Sequence, residues 1–273
     1  MVIFPNAKIN LGLTVIRKRD DGFHDIESIF YPIGLCDALE YLPAGDKTGT
    51  DTDSVTYSGQ FPVEGKDICI ILTDMLRQSF SFPPLRIHIH KNIPSGAGLG
   101  GGSSDAAFLL RSMNDSYSFG LNQDQLEEVA ERIGSDCPFF LRNSPCLVTG
   151  KGEYLQNISL TLKGYYLILI CPGIQVSTAE AYREIIPSHN AAGLKEMAGE
   201  PADQWKNLII NQFEEPVFKK YPVLKEIKEE LYSIGAVYAS MTGSGSAIYG
   251  LFRSEINAPQ QFTGYFIFRE WLH

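Results

Sequence analysis

The chain has 273 residues, 44% of them hydrophobic and 20% charged, with a formal net charge of −9. That is the composition of a soluble globular protein with room for a large core, and its acidity argues against bulk nucleic-acid binding, which relies on a basic surface. No apolar stretch approaches the ~20 residues of a membrane span, and the N-terminal residues lack the pattern of a signal peptide, so a cytoplasmic protein is expected. In chain order, residues 1–16 read as one long strand, followed by a turn at Asp20-Asp-Gly22. Residues 26–33 and 38–42 read as further strands, and 43–53 as an exposed loop. Apolar residues at Ile68, Ile71, Leu72, Met75 and Leu76 predict a helix over 67–80, stopped by Pro83-Pro84. A strand over 85–91 feeds a glycine loop, and a helix over 104–113 leaves it. A second helix spans 123–133, with Gly134 in the position of a C-cap. Then come a strand over 165–171, a helix over 178–186 and a linker over 187–204 around a short helix. Two helices over 212–232 are broken at Tyr221-Pro222. Strands follow at 237–241, 247–252 and 265–268, and a weak domain boundary lies near 150–164.

The loop from Pro94 to Ser104 places five glycines between Gly96 and Gly102. Between a strand and a helix start, such a loop binds phosphate through backbone N–H groups. No Lys follows the glycines, which excludes a P-loop. Gly96-Ala-Gly98-Leu-Gly-Gly101 matches the dinucleotide fingerprint, but the acidic residue about 20 positions on, Asp115, falls in a loop rather than at a strand end. The third option is a loop ending in paired hydroxyls, Ser103 and Ser104, able to cap the helix, touch phosphate or help hold Mg²⁺.

Asp136, in Gly134-Ser-Asp-Cys-Pro138, is either a structural cap or a carboxylate fixed to orient a hydroxyl and accept its proton. Lys8 and Asn10 share one side of a strand. There Lys8 either lies on an exposed edge or stabilises charge in a phosphoryl-transfer site. His24 is a candidate ligand contact, and Phe23 and Tyr182 are candidate stacking partners for a base, each with a core role as the alternative. His88 and His90 share a strand face without a third metal ligand, and read as structural. Thr242-Gly-Ser-Gly-Ser246 is a hairpin turn, or a second loop that packs on the first. Arg17-Lys-Arg19 is a solvated turn or a phosphate contact. Five cysteines, Cys36, Cys69, Cys137, Cys146 and Cys171, are scattered and form no Cys-x-x-Cys pair, so neither a zinc site nor a disulfide framework is expected.

Together these segments resemble the galactokinase, homoserine kinase, mevalonate kinase and phosphomevalonate kinase superfamily. The match lies in the order of Pro5-Asn-Ala-Lys-Ile-Asn-Leu11, Pro94 to Ala107, and Met241 to Ser246. The extended loop, Asp21-Gly-Phe-His24, Gly134-Ser-Asp-Cys-Pro138 and Pro172-Gly173 are most similar to members acting on a cytidine-diphosphate methylerythritol. The resemblance implies transfer of the γ-phosphoryl group of ATP, with Mg²⁺, to the 2-hydroxyl of that small molecule, a step of the non-mevalonate isoprenoid route. It implies Asp136 as base with Lys8 as its partner, Asn10 near the acceptor, and Phe23, His24, Tyr182 and Thr178 around the cytosine. Lys91, Pro94, Gly96, Gly98, Leu99, Gly100, Gly101, Gly102, Ser103 and Ser104 match the ATP phosphate site, while the Mg²⁺ ligands stay open. The implied fold is α+β in two domains. Residues 1–155 would form an ATP-binding catalytic domain with a left-handed βαβ crossover, and 156–273 a ferredoxin-like domain completing the substrate site. A monomer or weak homodimer is expected, without nucleic-acid or membrane partners. Two positions depart from the pattern: Ile68-Cys69 replaces the usual Asn-Leu near the adenine, and Phe23 replaces a Tyr.

Overall fold

A computed structural model describes residues 1–44, 52–61, 67–188 and 193–273. Its first half holds β1 (Val2–Ile3), β2 (Asn6–Lys18), β3 (His24–Cys36), β4 (Ala38–Pro43), β5 (Ser54–Gly59), α1 (Ile68–Leu76), β6 (Leu85–Lys91), α2 (Gly101–Ser116), α3 (Gln123–Ile133) and α4 (Cys137–Arg142). Then follow β7 (Cys146–Gly150), β8 (Tyr154–Asn157), β9 (Tyr166–Cys171), α5 (Thr178–Arg183), α6 (Leu194–Met197) and α7 (Trp205–Leu208). The chain ends with α8 (Glu214–Lys220), α9 (Pro222–Ser233), β10 (Tyr238–Met241), β11 (Ile248–Phe252) and β12 (Phe266–Trp271). The expected loop over 43–53 falls largely on residues 45–51, and part of the expected linker on 189–192, both outside the described residues.

The chain groups into two compact units that interleave in sequence: residues 1–7, 35–95 and 100–143 form one, and 8–34, 96–99 and 144–273 the other. The boundary expected near residue 155 therefore lies inside the second unit, and the glycine loop passes from one unit to the other between Leu99 and Gly100.

In the first unit, four strands lie in the order β1-β4-β6-β5. β5 and β6 run parallel with α1 between them, and β4 is antiparallel to β6. Alternation along β6 buries Leu85, Ile87, Ile89 and Lys91 on the helix-covered face, while Arg86, His88 and His90 face the other way. Both ring nitrogens of His88 bond to hydroxyls, Nδ1 to Thr56 and Nε2 to Ser58, each at 2.9 Å. The pair is structural, as expected. α1 starts on Asp67, whose carboxylate accepts from the amides of Cys69 and Ile70. α3 starts on a reciprocal Asn122–Gln125 capping box. Gly134 closes α3 in an extended conformation, φ −175°, so its missing side chain is set by crowding: a Cβ there would lie 3.3 Å from Cys137 Sγ.

The second unit holds β2-β3-β7-β8 and an antiparallel sheet ordered β10-β11-β9-β12. α9 packs on β10 and β11, and its Leu224, Ile227 and Leu231 enter the same core as Ile248 and Phe252 and as Ile168 and Ile170 of β9, which is buried along its whole length. The single strand expected over 1–16 is two, because Pro5 carries no N–H for the ladder. Three strands were not expected from the sequence. β5 is short and almost wholly exposed, and β7 and β8 form a short hairpin turning at Gly150, φ +70°.

Candidate active site

Lys8 is buried on β2, and its Nζ donates to Asn10 Oδ1 at 2.6 Å while standing 4.4 Å from the centroid of Phe30. The period of two that put Lys8 and Asn10 on one face is thus realised as a direct contact. Asn10 is only 1% exposed. Its amide donates to Ser28 Oγ at 2.9 Å, and its oxygen receives Lys8 and lies 3.1 Å from Thr242 Oγ1. Asn10 was expected near the acceptor; its Oδ1 receives Lys8 and one N–H of its amide goes to Ser28, so it also positions Lys8.

The two small-residue loops pack on each other, the alternative to a free hairpin. Thr242 Oγ1 accepts the Asn10 N–H at 3.0 Å and lies 3.1 Å from the Gly98 carbonyl. The Ala247 N–H donates to Ala97 O at 3.2 Å, and the Lys8 N–H to Leu99 O at 3.0 Å. The approach is close enough that a Cβ on Gly98 would overlap the Thr242 carbonyl, 2.9 Å from its carbon. Gly96, Gly98 and Gly100 have φ of +65°, +79° and +74°. Such alternating left-handed residues turn successive N–H groups toward one side, as in an anion nest. Leu99 buries its side chain, and Pro94 is buried as well; both shape the loop from within.

Beside the second loop, Thr178 Oγ1 lies 3.1 Å from Ser244 Oγ. One turn along α5, Tyr182 stacks on His24 at 4.6 Å between centroids, with an interplanar angle of 20°, and meets Phe213 edge-on. Burial, with a contribution from Lys18, holds the His24 imidazole below its ordinary range, so it is neutral at pH 7. Phe23 is 59% exposed, with Lys151 Nζ 5.6 Å from its centroid. Arg17 and Arg19 both pair with Asp25, and Arg19 also with Asp21. This is the solvated-turn alternative for that basic run.

In the other unit, α2 begins at Gly101, with left-handed Gly100 as its N-cap. The amides of Gly101, Gly102 and Ser103 have no carbonyl one turn behind them, whereas the Ser104 N–H already bonds to Gly100 O at 2.9 Å. Ser104 is fully buried and donates its hydroxyl to Asn6 O at 2.7 Å. It was expected at the phosphates; the structure makes it a tie between α2 and the start of β2. Ser103 is half-buried and faces Cys137. Lys91 was also expected at the phosphates. Instead, its Nζ is 3% exposed and paired with Asp37 and Asp105, so its charge is already neutralised.

Asp136 is half-buried and stands at the N-cap of α4, but its side chain makes no capping hydrogen bond. Of the two roles open in the sequence, the helix does not use it as a cap. Ile68 sits near the loop, its Cγ2 3.9 Å from a Cβ placed on Gly102. Among the described residues, no group of three or more His, Cys, Asp and Glu could hold a metal ion. All five cysteines are free.

Several residues of this framework carry no local signal. Asn211 donates from Nδ2 to Met241 O and Gly243 O, both at 2.8 Å, holding the second loop. Tyr249 donates its hydroxyl to Asn10 O at 2.7 Å. Glu214 receives the Met241 N–H and Ser240 Oγ. Asp105 did leave a trace, as an acid one turn before Leu109 on the buried face of α2.

The family model for the GHMP kinases N terminal domain matches residues 68–144, and that for the GHMP kinases C terminal matches 181–263. The 4-diphosphocytidyl-2-C-methyl-D-erythritol kinase of Bacteroides thetaiotaomicron is 45% identical, over 98% of this chain and 98% of its own. That of Parabacteroides distasonis is 47% identical, over 96% of this chain and 95% of its own. A solved 4-(cytidine 5'-diphospho)-2C-methyl-D-erythritol kinase superposes with a TM-score of 0.77 at 30% identity, covering 92% of this chain and 90% of that one. The mevalonate kinase of Methanococcus jannaschii shares the fold at 13% identity, with a TM-score of 0.67 over 98% and 97% of the two chains. With identity of this order sustained from end to end, the chain belongs to the 4-diphosphocytidyl-2-C-methyl-D-erythritol kinases, within the two-domain α+β GHMP kinases.

Proposed function

We propose that this chain moves the γ-phosphoryl group of ATP to the 2-hydroxyl of 4-diphosphocytidyl-2-C-methyl-D-erythritol, with Asp136 as the proton acceptor. The carboxylate takes the hydroxyl proton, the 2-oxygen forms a bond to the γ-phosphorus, and the bond from phosphorus to the β–γ bridging oxygen breaks. ADP leaves with that electron pair. Lys8 stabilises the charge that develops on the oxygens in flight. The amides of Gly101, Gly102 and Ser103, with the nest over Gly96–Gly100, hold the phosphates. Phe23, His24 and Tyr182 receive the cytosine by stacking and edge hydrogen bonds, with Thr178 beside them. A neutral His24 suits that role, since one ring nitrogen then accepts and the other donates.

The observation that supports this reading best is the backbone of the loop. Three left-handed glycines lead to unpaired helix-start amides, and Gly102 is open enough that an added Cβ would meet nothing nearer than 3.9 Å. For Mg²⁺, the hard oxygens of Ser103 and Asp136 fit an ion held mainly by phosphates and water. When bound, the ion neutralises charge on the β and γ oxygens. We place the enzyme in the cytoplasm, as a monomer or weak homodimer; no described helix is long and apolar enough to cross a membrane. The deciding experiment is an ATP-consumption assay against the cytidine-diphosphate methylerythritol, mevalonate and homoserine, with phosphorus NMR locating the new ester. Turnover only with the cytidine compound is expected. Equal turnover of an acceptor lacking cytidine overturns the reading.

A further inference from the structure

The turn that leads from α7 into α8, Asn211-Gln-Phe-Glu214, reaches both the second glycine loop and Tyr182, and the reaction above leaves it without a role. Its backbone lies along β2: the Leu13 N–H donates to Ile210 O at 3.1 Å, and the Gln212 N–H donates to Leu13 O at 2.9 Å. Gln212 Oε1 adds a further tie by accepting the Val15 N–H at 2.6 Å. The turn therefore shares the frame of the strand that carries Lys8 and Asn10. From it the buried Asn211 donates its amide N–H groups to Met241 O and Gly243 O, and accepts the Phe213 N–H on Oδ1 at 3.0 Å. Glu214 holds Met241 from its other end, accepting the Met241 N–H at 2.8 Å together with the Ser240 hydroxyl at 3.1 Å and the Lys228 ammonium at 2.5 Å. Phe213, between the two in sequence, is 1% exposed and meets the Tyr182 ring edge-on, 4.8 Å between centroids.

We infer that this turn positions both ligands: Asn211 and Glu214 hold the second glycine loop against the phosphate nest, and Phe213 holds Tyr182 in place for the cytosine. The inference rests on the function proposed above. The second loop backs the first through the Thr242 carbonyl, Thr242 Oγ1 and the Ala247 N–H, which meet Gly98 and Ala97. Met241 and Gly243 flank Thr242 in the chain, so the backbone groups fixed by Asn211 and Glu214 lie on either side of that contact. Thr242-Gly-Ser-Gly-Ser246 has little side-chain bulk to pack and two glycines free to rotate, so hydrogen bonds to its backbone set its place. The charge on Glu214 strengthens its bond to the Met241 N–H, and Lys228 keeps that buried carboxylate paired. At the cytosine end, Tyr182 stacks on His24 and stands at 82° to Phe213. An edge-to-face partner in the core fixes the tilt of the ring on which a base would stack. Asn211, Phe213 and Glu214 are thus positioning residues, acting through Thr242 and Gly98 on one side and Tyr182 on the other.

The test is steady-state kinetics with KM read separately for ATP and for the cytidine substrate, and a thermal melt on each variant. Asn211→Asp removes both donors and turns a carboxylate on two carbonyl oxygens; loss of the two hydrogen bonds should raise the KM for ATP about 5- to 150-fold. Glu214→Gln keeps an acceptor for the Met241 N–H but not its charge, and should raise the same constant about 3- to 10-fold; it carries the test if Asn211→Asp does not fold. Both should move the KM for the cytidine substrate by less than about threefold, through the exposed contact of Ser244 with Thr178. Phe213→Leu and Phe213→Met, which keep bulk but not the ring, should do the reverse. They should raise the KM for the cytidine substrate about 2- to 10-fold, the worth of one edge-to-face pair, and leave the KM for ATP unchanged. Lost stability alone lowers the active fraction, and with it kcat, while both KM values stay where they were. Folded variants that lose only kcat, or that raise both constants equally, overturn the inference. A wild type without turnover of the cytidine substrate overturns the function on which it rests.

Discussion

Gly98→Ala and Gly96→Ala separate two reasons for a glycine within one loop. Both positions are left-handed, with φ of +79° and +65°, and an alanine in that region costs about 1–2 kcal/mol. They differ in what the new methyl meets. At Gly96 the nearest atom is Gln175 Cγ at 3.9 Å, an ordinary contact. At Gly98 the methyl overlaps the Thr242 carbonyl, a backbone group fixed because the Thr242 side chain bonds to Asn10 and its N–H to Ala247. Relief means parting the two loops, with loss of the Ala247–Ala97 and Thr242–Gly98 hydrogen bonds, each worth about 0.5–1.5 kcal/mol. The total for Gly98→Ala is then about 2–5 kcal/mol, which lowers the population of the competent loop and kcat/KM roughly 30- to 5,000-fold. Gly96→Ala should lose only about 5- to 30-fold. Steady-state kinetics on both variants, with a thermal melt to confirm folding, provides the comparison. Equal losses in the two would refute the argument that loop-on-loop packing sets the phosphate site.

Asp136→Asn should lower kcat by roughly 10²–10⁴ while the melt stays near wild type, since the helix makes no use of the carboxylate as a cap; near-normal turnover removes Asp136 from the role of base. Lys8→Met should lower kcat about 10²–10³ with little change in the KM for ATP, measured in the same assay. Phe23→Ala should raise the KM for the cytidine substrate about 5- to 10-fold, the worth of one stacking ring, and leave the KM for ATP unchanged. For His24 the sign follows from a folded-state value held below the ordinary one. The folded protein resists protonation, so stability and base binding are complete above neutrality and decline as pH falls below it. The KM for the cytidine substrate should therefore be flat above pH 7 and climb below it, and His24→Gln should remove the climb.

What the sequence made legible was periodic or capped. Lys8 and Asn10 were placed together by the two-residue repeat of a strand, and the 123–133 helix by its apolar face. β5 alternates Val55 and Tyr57 with Ser54, Thr56 and Ser58, but too briefly and with too little burial to stand out, and its pairing with β6 is what makes it a strand. Site residues failed the same way. Ser103 and Ser104 are adjacent, yet about 100° apart around the helix, so one is half-buried while the other is sealed in the core. Lys91 closes a run of alternating residues, and its position on the buried face was readable, but its partners stand 54 and 14 residues away. Tyr249 and Asn211 act only through contacts that the finished fold creates.

A chain of net charge −9 that binds a polyanionic nucleotide cannot depend on its long-range field. Lys91 is neutralised by two carboxylates, while Lys8, held by the neutral Asn10 over the Phe30 ring, keeps its charge for the transfer step proposed above. On the proposed reading, the phosphates are then held chiefly by the backbone: left-handed glycines, a helix start and a second glycine loop that fixes the first. Backbone dipoles act only over a few ångströms and cannot be exchanged by substitution. On the proposed reading the attraction therefore depends on conformation rather than on charge count, which accounts for glycines rather than lysines in this segment.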